Sequence, residues 1–233
     1  MAARPPRIVD PHAIPVIGID DHLPALPDDA LSATAVRARF ADTRDWTPEF
    51  AGDGRLIVED TPAAASVLVP LVMRGGALHV LLTRRTDHLR DHAGQISFPG
   101  GRAEPDDPSA IHTALREAEE EVGLAREHVD VLGQLNTYTT VTSYVVTPVV
   151  ALVQPQFSLH LDRFEVEEAF EVPLNFLMTP ANHQRHELTL GGQRRQFLSM
   201  PWSGIDASGQ PHLYFIWGAT AAMLRNLYWF LRR

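Results

Sequence analysis

Two apolar runs dominate the hydrophobic pattern of the chain. Residues 64–73 read AASVLVPLVM and residues 77–84 read ALHVLLTR. Both are short and rich in Val and Leu, with Arg74-Gly75-Gly76 between them. They predict two strands joined by a hairpin turn. A different period follows at residues 108–122. At about 100° per residue, Ile111, Leu115, Ala118 and Val122 fall on one stripe, the mark of an amphipathic helix. Asp107 suits the N-cap, Pro108 the first helical position and Gly123 a left-handed exit. Glu117, Glu120 and Glu121 recur at i, i+3 and i+4 and are expected on the opposite face.

The flanking segments extend this alternation. Residues 95–98 form a short strand entering Pro99-Gly100-Gly101. Residues 129–139 and 145–153 read as strands, and Pro148 marks the second as an edge or a bulge. Residues 165–169 are an acidic loop, and residues 172–177 begin a short helix. Residues 186–190 and 194–198 flank Gly191-Gly192, a hairpin signal. Residues 217–231 are helical, with Ala221, Leu224, Leu227, Tyr228 and Leu231 as the buried stripe.

Before the first strand, Pro5, Pro6, Pro11, Pro15, Pro24 and Pro27 block regular helix in residues 1–30. A disordered tail is the alternative, but the apolar run at residues 14–19 favours an extended arm lying on the body or, in a homodimer, on a partner subunit. Ser32 caps a short helix over residues 32–41. Residues 42–60 are mostly loop, with Trp46 as an anchor. The expected organisation is a Pro-rich arm with a short helix over residues 1–60 and one main domain over residues 61–233. The fold class is α/β, a mixed sheet sandwiched by helices.

Composition narrows the function. The 233 residues are 45% hydrophobic, enough for a full core in a domain of moderate size. A net charge of −9 argues against a nucleic-acid surface, which carries a basic excess. It leaves room for a polyanionic small molecule, because bound cations and local arginines offset phosphate charge. No cysteine is present, which removes thiol chemistry and suits a reducing cytoplasm. No apolar run is long enough to span a membrane, and the N-terminus lacks the apolar core of a secretory signal.

The three glutamates carry a cost that a stability-driven helix would avoid. Like charges at i, i+4 destabilise a helix by roughly 0.2–0.5 kcal/mol per pair, and anions near a helix C-terminus oppose the macrodipole. A divalent cation removes both penalties; a solvated acidic face is the alternative. Gly100 and Gly101 either offer amides to a phosphate or form an ordinary tight turn. Arg84, Arg85, Arg90 and His92 make a cationic cluster that could read a phosphate, or could form salt bridges with Asp87 and Asp91. Gln95 is placed to bond loop backbone or substrate.

Residues 116–124, Arg-Glu-Ala-Glu-Glu-Glu-Val-Gly-Leu, resemble the Nudix hydrolase pattern R-E-U-x-E-E-x-G-U, in which U is apolar. The usual box is G-x5-E-x7-R-E; here Asp107 replaces the early Glu and the spacing to Arg116 is one residue longer. Upstream, residues 81–101 read LLTRRTDHLRDHAGQISFPGG. This is similar to the extra signature of the coenzyme A (CoA) pyrophosphatase subgroup, whose box also tends to be one residue longer.

The resemblance implies an α/β/α Nudix fold and metal-dependent hydrolysis of a pyrophosphate. The substrate would be CoA or acyl-CoA, cut to 3′,5′-ADP and (acyl-)4′-phosphopantetheine, with the arginine cluster reading the 3′-phosphate. Alternatives are ADP-ribose or another nucleoside diphosphate derivative, or a non-catalytic binding module, which usually loses box carboxylates that survive here. Glu117, Glu120, Glu121 and the Gly101 carbonyl would hold Mg²⁺ or Mn²⁺, hard ions that favour oxygen donors. Arg116 would orient a glutamate. The general base would be Glu165, with Glu168 second, or a box glutamate such as Glu120.

Overall fold

A computed structural model describes residues 8, 10–53, 62–86, 88, 94–190 and 192–233. Pro5, Pro6, Asp87, Arg90, Asp91, His92, Gly191 and residues 54–61 lie outside these.

The chain builds β1 (Val16–Ile19), α1 (Ala33–Ala41), β2 (Ala63–Arg74), β3 (Ala77–Arg85), β4 (Ile96–Ser97), β5 (Gly100–Arg102) and α2 (Ala110–Val122). It continues with β6 (Val129–Gln134), β7 (Tyr138–Thr139), β8 (Tyr144–Val153), β9 (Val166–Pro173) and α3 (Leu174–Leu177). Last come β10 (Gln184–Leu190), β11 (Gln193–Ile205), β12 (Pro211–Trp217) and α4 (Gly218–Arg232). Strands β2 to β9 form an eight-stranded mixed sheet in which β2 and β8 run parallel. Strands β1, β10, β11 and β12 form a separate antiparallel sheet in that order.

Alternation along β2 explains the layering. Leu68 and Val72 face α2 and pack with its Ala114, Ala118 and Val122. Val69 and Leu71 face the other way, into a core shared with Leu224, Leu227 and Tyr228 of α4 and with Met200 and Ile216 of the second sheet. Each such aliphatic side chain contributes roughly 1.5–3 kcal/mol by leaving water. The expected α/β/α sandwich on a mixed sheet is present. Among the described residues no helix is long and apolar enough to cross a membrane.

Several local expectations are corrected. The N-cap of α2 is Ser109, whose Oγ accepts from His112 N at 3.2 Å, so Asp107 and Pro108 stand outside the helix. The exit at Gly123 is left-handed as expected, with φ of 69°. Pro148 lies in β8, an interior strand flanked by β2 and β6, not an edge. Its carbonyl accepts from Leu135 N at 2.9 Å. The N and O of one strand residue point to the same side, so its absent N–H faces the gap between Gln134 and Tyr138. That gap also divides the single strand expected over residues 129–139 into β6 and β7. Residues 165–169 are loop only at Glu165; from Val166 they belong to β9.

In the N-terminal arm, β1 pairs with β10, and Asp20 N donates to His183 O at 3.2 Å. Ser32 caps α1, accepting from Ala35 N at 3.2 Å. Trp46 meets the Phe230 ring edge-on, with centroids 5.4 Å apart.

A buried charge network ties the arm to α4. Arg225, 1% exposed, reaches Glu49 Oε2 at 2.6 Å, Asp20 Oδ2 at 3.0 Å and His183 Nδ1 at 2.9 Å. Arginine only donates, so His183 Nδ1 must accept and Nε2 must carry the proton it gives to Leu177 O at 2.8 Å. Burial is the main cause that lowers the His183 pKa from 6.5 to about 4. Between those values the unfolded chain binds a proton that the folded chain refuses, so stability falls as pH drops from 6.5 towards 4. The loss amounts to about 3 kcal/mol. Urea unfolding measured across this range should show the slope. His183→Gln, which keeps both an acceptor and a donor, should flatten it; an unchanged slope would remove His183 as the cause.

Candidate active site

Strand β5 lies between β2 and α2, and its two glycines permit that approach. A Cβ on Gly100 would stand 2.4 Å from Ser66 O, and one on Gly101 would stand 2.5 Å from Glu117 Oε2. Gly100 N donates to Glu121 Oε2 at 3.0 Å. The pair is therefore strand, neither an open phosphate-binding loop nor an ordinary tight turn, and the Gly100 amide serves a carboxylate of the protein. Gly101→Ala should displace the Glu117 carboxylate while leaving the fold intact. Since about 1 Å of misplacement can cost 10²-fold in rate, turnover should fall by about that factor with little change in Tm. Full turnover would show that the Glu117 position is not critical.

The three box glutamates do not share one exposed face. Glu121 is 6% exposed, and the side chains of Glu117 and Glu120 are 17% and 59% exposed. Glu121 lies at i+3 from Ala118 and i+7 from Ala114, on the buried stripe itself. Burial pushes its carboxyl up to about 7, opposed by the Gly100 N–H and Arg85 and helped by Glu117 and Glu165. Burial is also the main cause that raises Glu117, with Glu120 and Glu165 adding to it. The four carboxylates thus crowd negative charge into one place.

Arginines hold these acids. Arg116 Nη1 lies 3.0 Å from Glu117 Oε1 and 2.9 Å from Glu120 Oε2. Its Nη2 donates to Asp107 Oδ2 at 2.9 Å. Arg116 is the chief cause that holds the Asp107 carboxyl far below the usual range, with the Glu104 N–H, His112 and Thr113 assisting. Asp107, freed from capping, fixes the guanidinium that fixes two box glutamates. That anchor was not foreseen, although its place in the box was a signal.

Arg85 reaches Glu121 Oε1 at 3.6 Å and Glu165 Oε2 at 3.7 Å, and so brings Glu165 to the box acids. Gln95 O accepts from Arg85 N at 3.0 Å, which places Gln95 beside this arginine. Arg84 and Glu168 stand apart. Adjacent strand residues point to opposite faces, and Arg84 turns to Glu168 Oε2 at 3.6 Å. Glu168, 5% exposed, accepts from Ala207 N at 2.8 Å and Tyr214 Oη at 2.9 Å, both next to or within the second sheet. The structure does not bring these two to the α2 acids. Tyr214 lies so far along the chain that no local pattern could have paired it with Glu168.

Among the described residues no three Asp, Glu, His or Cys side chains already converge as an ion cage. The oxygens of Glu117 and Glu120 turn to Arg116, and those of Glu121 to Gly100 and Arg85. The donor set still fits a hard divalent cation. It consists of oxygens only, it includes a desolvated carboxylate beside another raised one, and the missing Cβ of Gly101 lets the Glu117 carboxylate lie against the Gly101 backbone.

Residues 62–190 match the family model described as the NUDIX domain. The chain is 44% identical over 164 residues to a protein of Yersinia enterocolitica named Uncharacterized Nudix hydrolase NudL, covering 70% of this chain and 78% of that one. It is 41% identical over 170 residues to the protein of the same name from Photorhabdus laumondii, covering 73% and 86%. A crystal structure of a C. elegans Ap4A hydrolase complex aligns at 19% identity with a TM-score of 0.42, covering 51% of this chain and 85% of that chain. With Arg116 to Val122 of the box on helix α2 against paired glycines and its acids gathered by arginines, the family match has a structural counterpart, and the chain belongs to the Nudix family of hydrolases.

Proposed function

We propose that the protein hydrolyses the pyrophosphate of CoA or acyl-CoA to 3′,5′-ADP and (acyl-)4′-phosphopantetheine. One observation carries the reading. Two residues of the upstream signature, Arg85 in its first part and Gly100 in its last, both meet Glu121 of the box. The segment that resembles the CoA subgroup is thus built into the acid cluster.

Glu117, Glu120, Glu121 and the Gly101 carbonyl would hold Mg²⁺ or Mn²⁺. When bound, such an ion offsets the charge of the diphosphate and makes water easier to deprotonate. Arg116, fixed by Asp107, positions Glu117 and Glu120. Glu165, half-exposed and steadied by Arg85, takes the proton of the attacking water. The water oxygen bonds to one phosphorus as the bond from that phosphorus to the bridging oxygen breaks, and the departing phosphate carries the electron pair. Arg90 and His92 remain the proposed readers of the 3′-phosphate, on sequence grounds alone.

The test is incubation with Mg²⁺ or Mn²⁺ and CoA, acetyl-CoA, dephospho-CoA, ADP-ribose or NADH, with products identified by mass. CoA and acetyl-CoA should be cut, CoA faster than dephospho-CoA. Cleavage of ADP-ribose with CoA left intact would overturn the substrate, and no cleavage at all would overturn the enzyme.

A further inference from the structure

Strand β9 pairs with β3 and, among the described residues, with no other strand. Its outer edge has no strand beside it, and Arg163 Nη1 donates to Glu167 O at 2.9 Å, just before the residues that line the cleft. Strand β11 is bare along half of one edge. β10 pairs with it at residues 193–199, whereas β12, on the opposite side, pairs at residues 199–205. The β10-side edge of residues 202–205 therefore has no strand partner among the described residues.

These two bare edges border one cleft of about 800 Å³, lined by residues 168–171 and 202–207 with Pro211 and Tyr214. Consecutive side chains of a strand point to opposite faces. A lining of consecutive residues on both sides means that backbone edges, not sheet faces, wall the space. Every second residue of such an edge turns its N–H and C=O outward. A chain lying in the cleft would meet donors and acceptors on both flanks, as an added strand does.

The rest of the wall is aromatic. Phe170 stacks on Tyr214 with centroids 3.8 Å apart. A Cβ on Gly204 would stand 2.9 Å from Trp202 Nε1 and 3.2 Å from Tyr214 Cε2, so glycine lets both rings cover its face. Trp202 Nε1 donates to no acceptor among the described residues. Along β9 the cleft begins three residues beyond Glu165, with Glu168 turned to the second sheet and Glu165 to the acid cluster. Neighbouring residues Arg84 and Arg85 contact Glu168 and Glu165 respectively. The three residues from Glu165 to Glu168 span roughly 10 Å of extended chain.

We infer that this cleft holds an extended chain bearing amide groups, the pantetheine arm of a CoA substrate, between the bare edges of β9 and β11. The inference rests on the CoA reading above. Its volume is that of a small-molecule site, and two facing backbone edges suit a linear diamide better than a flat base, which presents one edge. The diphosphate then lies towards Glu165 and α2.

The test uses the intact protein, labelled with ¹⁵N, and 4′-phosphopantetheine. The amides of residues 168–171 and 202–205 and the Trp202 indole N–H should shift and saturate, while AMP leaves them in place. Shifts confined to α2 and β5, no shift, or equal shifts with a simple tripeptide would each overturn the proposal. Kinetics supply a second reading. Trp202→Phe removes one hydrogen bond to the arm and should raise KM for CoA about tenfold, with kcat unchanged. An unchanged KM would count against it. The product assay separates the two ideas. CoA cleavage with silent cleft amides overturns the cleft alone, and shifted amides with CoA uncut overturn the reaction alone.

Discussion

Glu121→Gln is expected to lower turnover of CoA by about 10²–10³-fold at saturating Mg²⁺, the range for a lost charged group at a reacting centre. The amide keeps the shape of the side chain and can still accept from Gly100 N. What it loses is the negative charge. Burial raises the Glu121 pKa from 4.5 to about 7. A carboxyl that binds its proton more tightly when folded makes the protein less stable as pH rises through that interval. The variant should therefore melt no lower than the parent at pH 8 without divalent ions, and should melt higher. A gain in Tm together with a large loss of kcat would mark a charge kept for function against stability. Normal turnover would remove Glu121 from the site.

Arg225→Met should have the largest effect on stability. Removing one partner of a buried ion pair costs about 3–5 kcal/mol, because the other charge stays buried and uncompensated. Here Asp20, 2% exposed, and Glu49 would keep Arg185 as their one cationic partner among the described residues, at 2.6 Å and 2.7 Å. The network also donates from Trp229 Nε1 to Glu49 Oε2 at 2.6 Å, so the loss would spread to the end of α4. Urea unfolding at pH 7 measures the change. Since α4 covers the sheet face opposite α2, kcat of the folded variant should be near normal. A loss below about 1 kcal/mol, the value of an exposed pair, would show that the network is not a structural tie.

Local pattern made part of this molecule legible. The β2–β3 hairpin, α2 and its glycine exit, and the buried stripe of α4 follow from periodicity and turn chemistry within short windows. Glu121 was misplaced because the stripe was drawn through Ile111 and Leu115. Both are only partly buried, whereas Ala114 is fully buried. A stripe through Ala114 and Ala118 includes position 121. Of the edge or bulge that Pro148 signals, the edge fails because β8 lies between β2 and β6, while the missing donor falls where the neighbouring ladder is interrupted, between Gln134 and Tyr138. The separation of Arg84 from Arg85, the Glu168–Tyr214 bond and the Asp20–Arg225 pair depend on residues brought together from distant parts of the chain, which no window contains.

The site itself is most directly tested by crystals grown with Mn²⁺ and read by its anomalous scattering. An ion bonded directly to carboxylate oxygens of Glu117 and Glu121, and absent from Glu121→Gln crystals, is the predicted result. Manganese bound elsewhere, with those carboxylates still turned to Arg116 and Arg85, would contradict it.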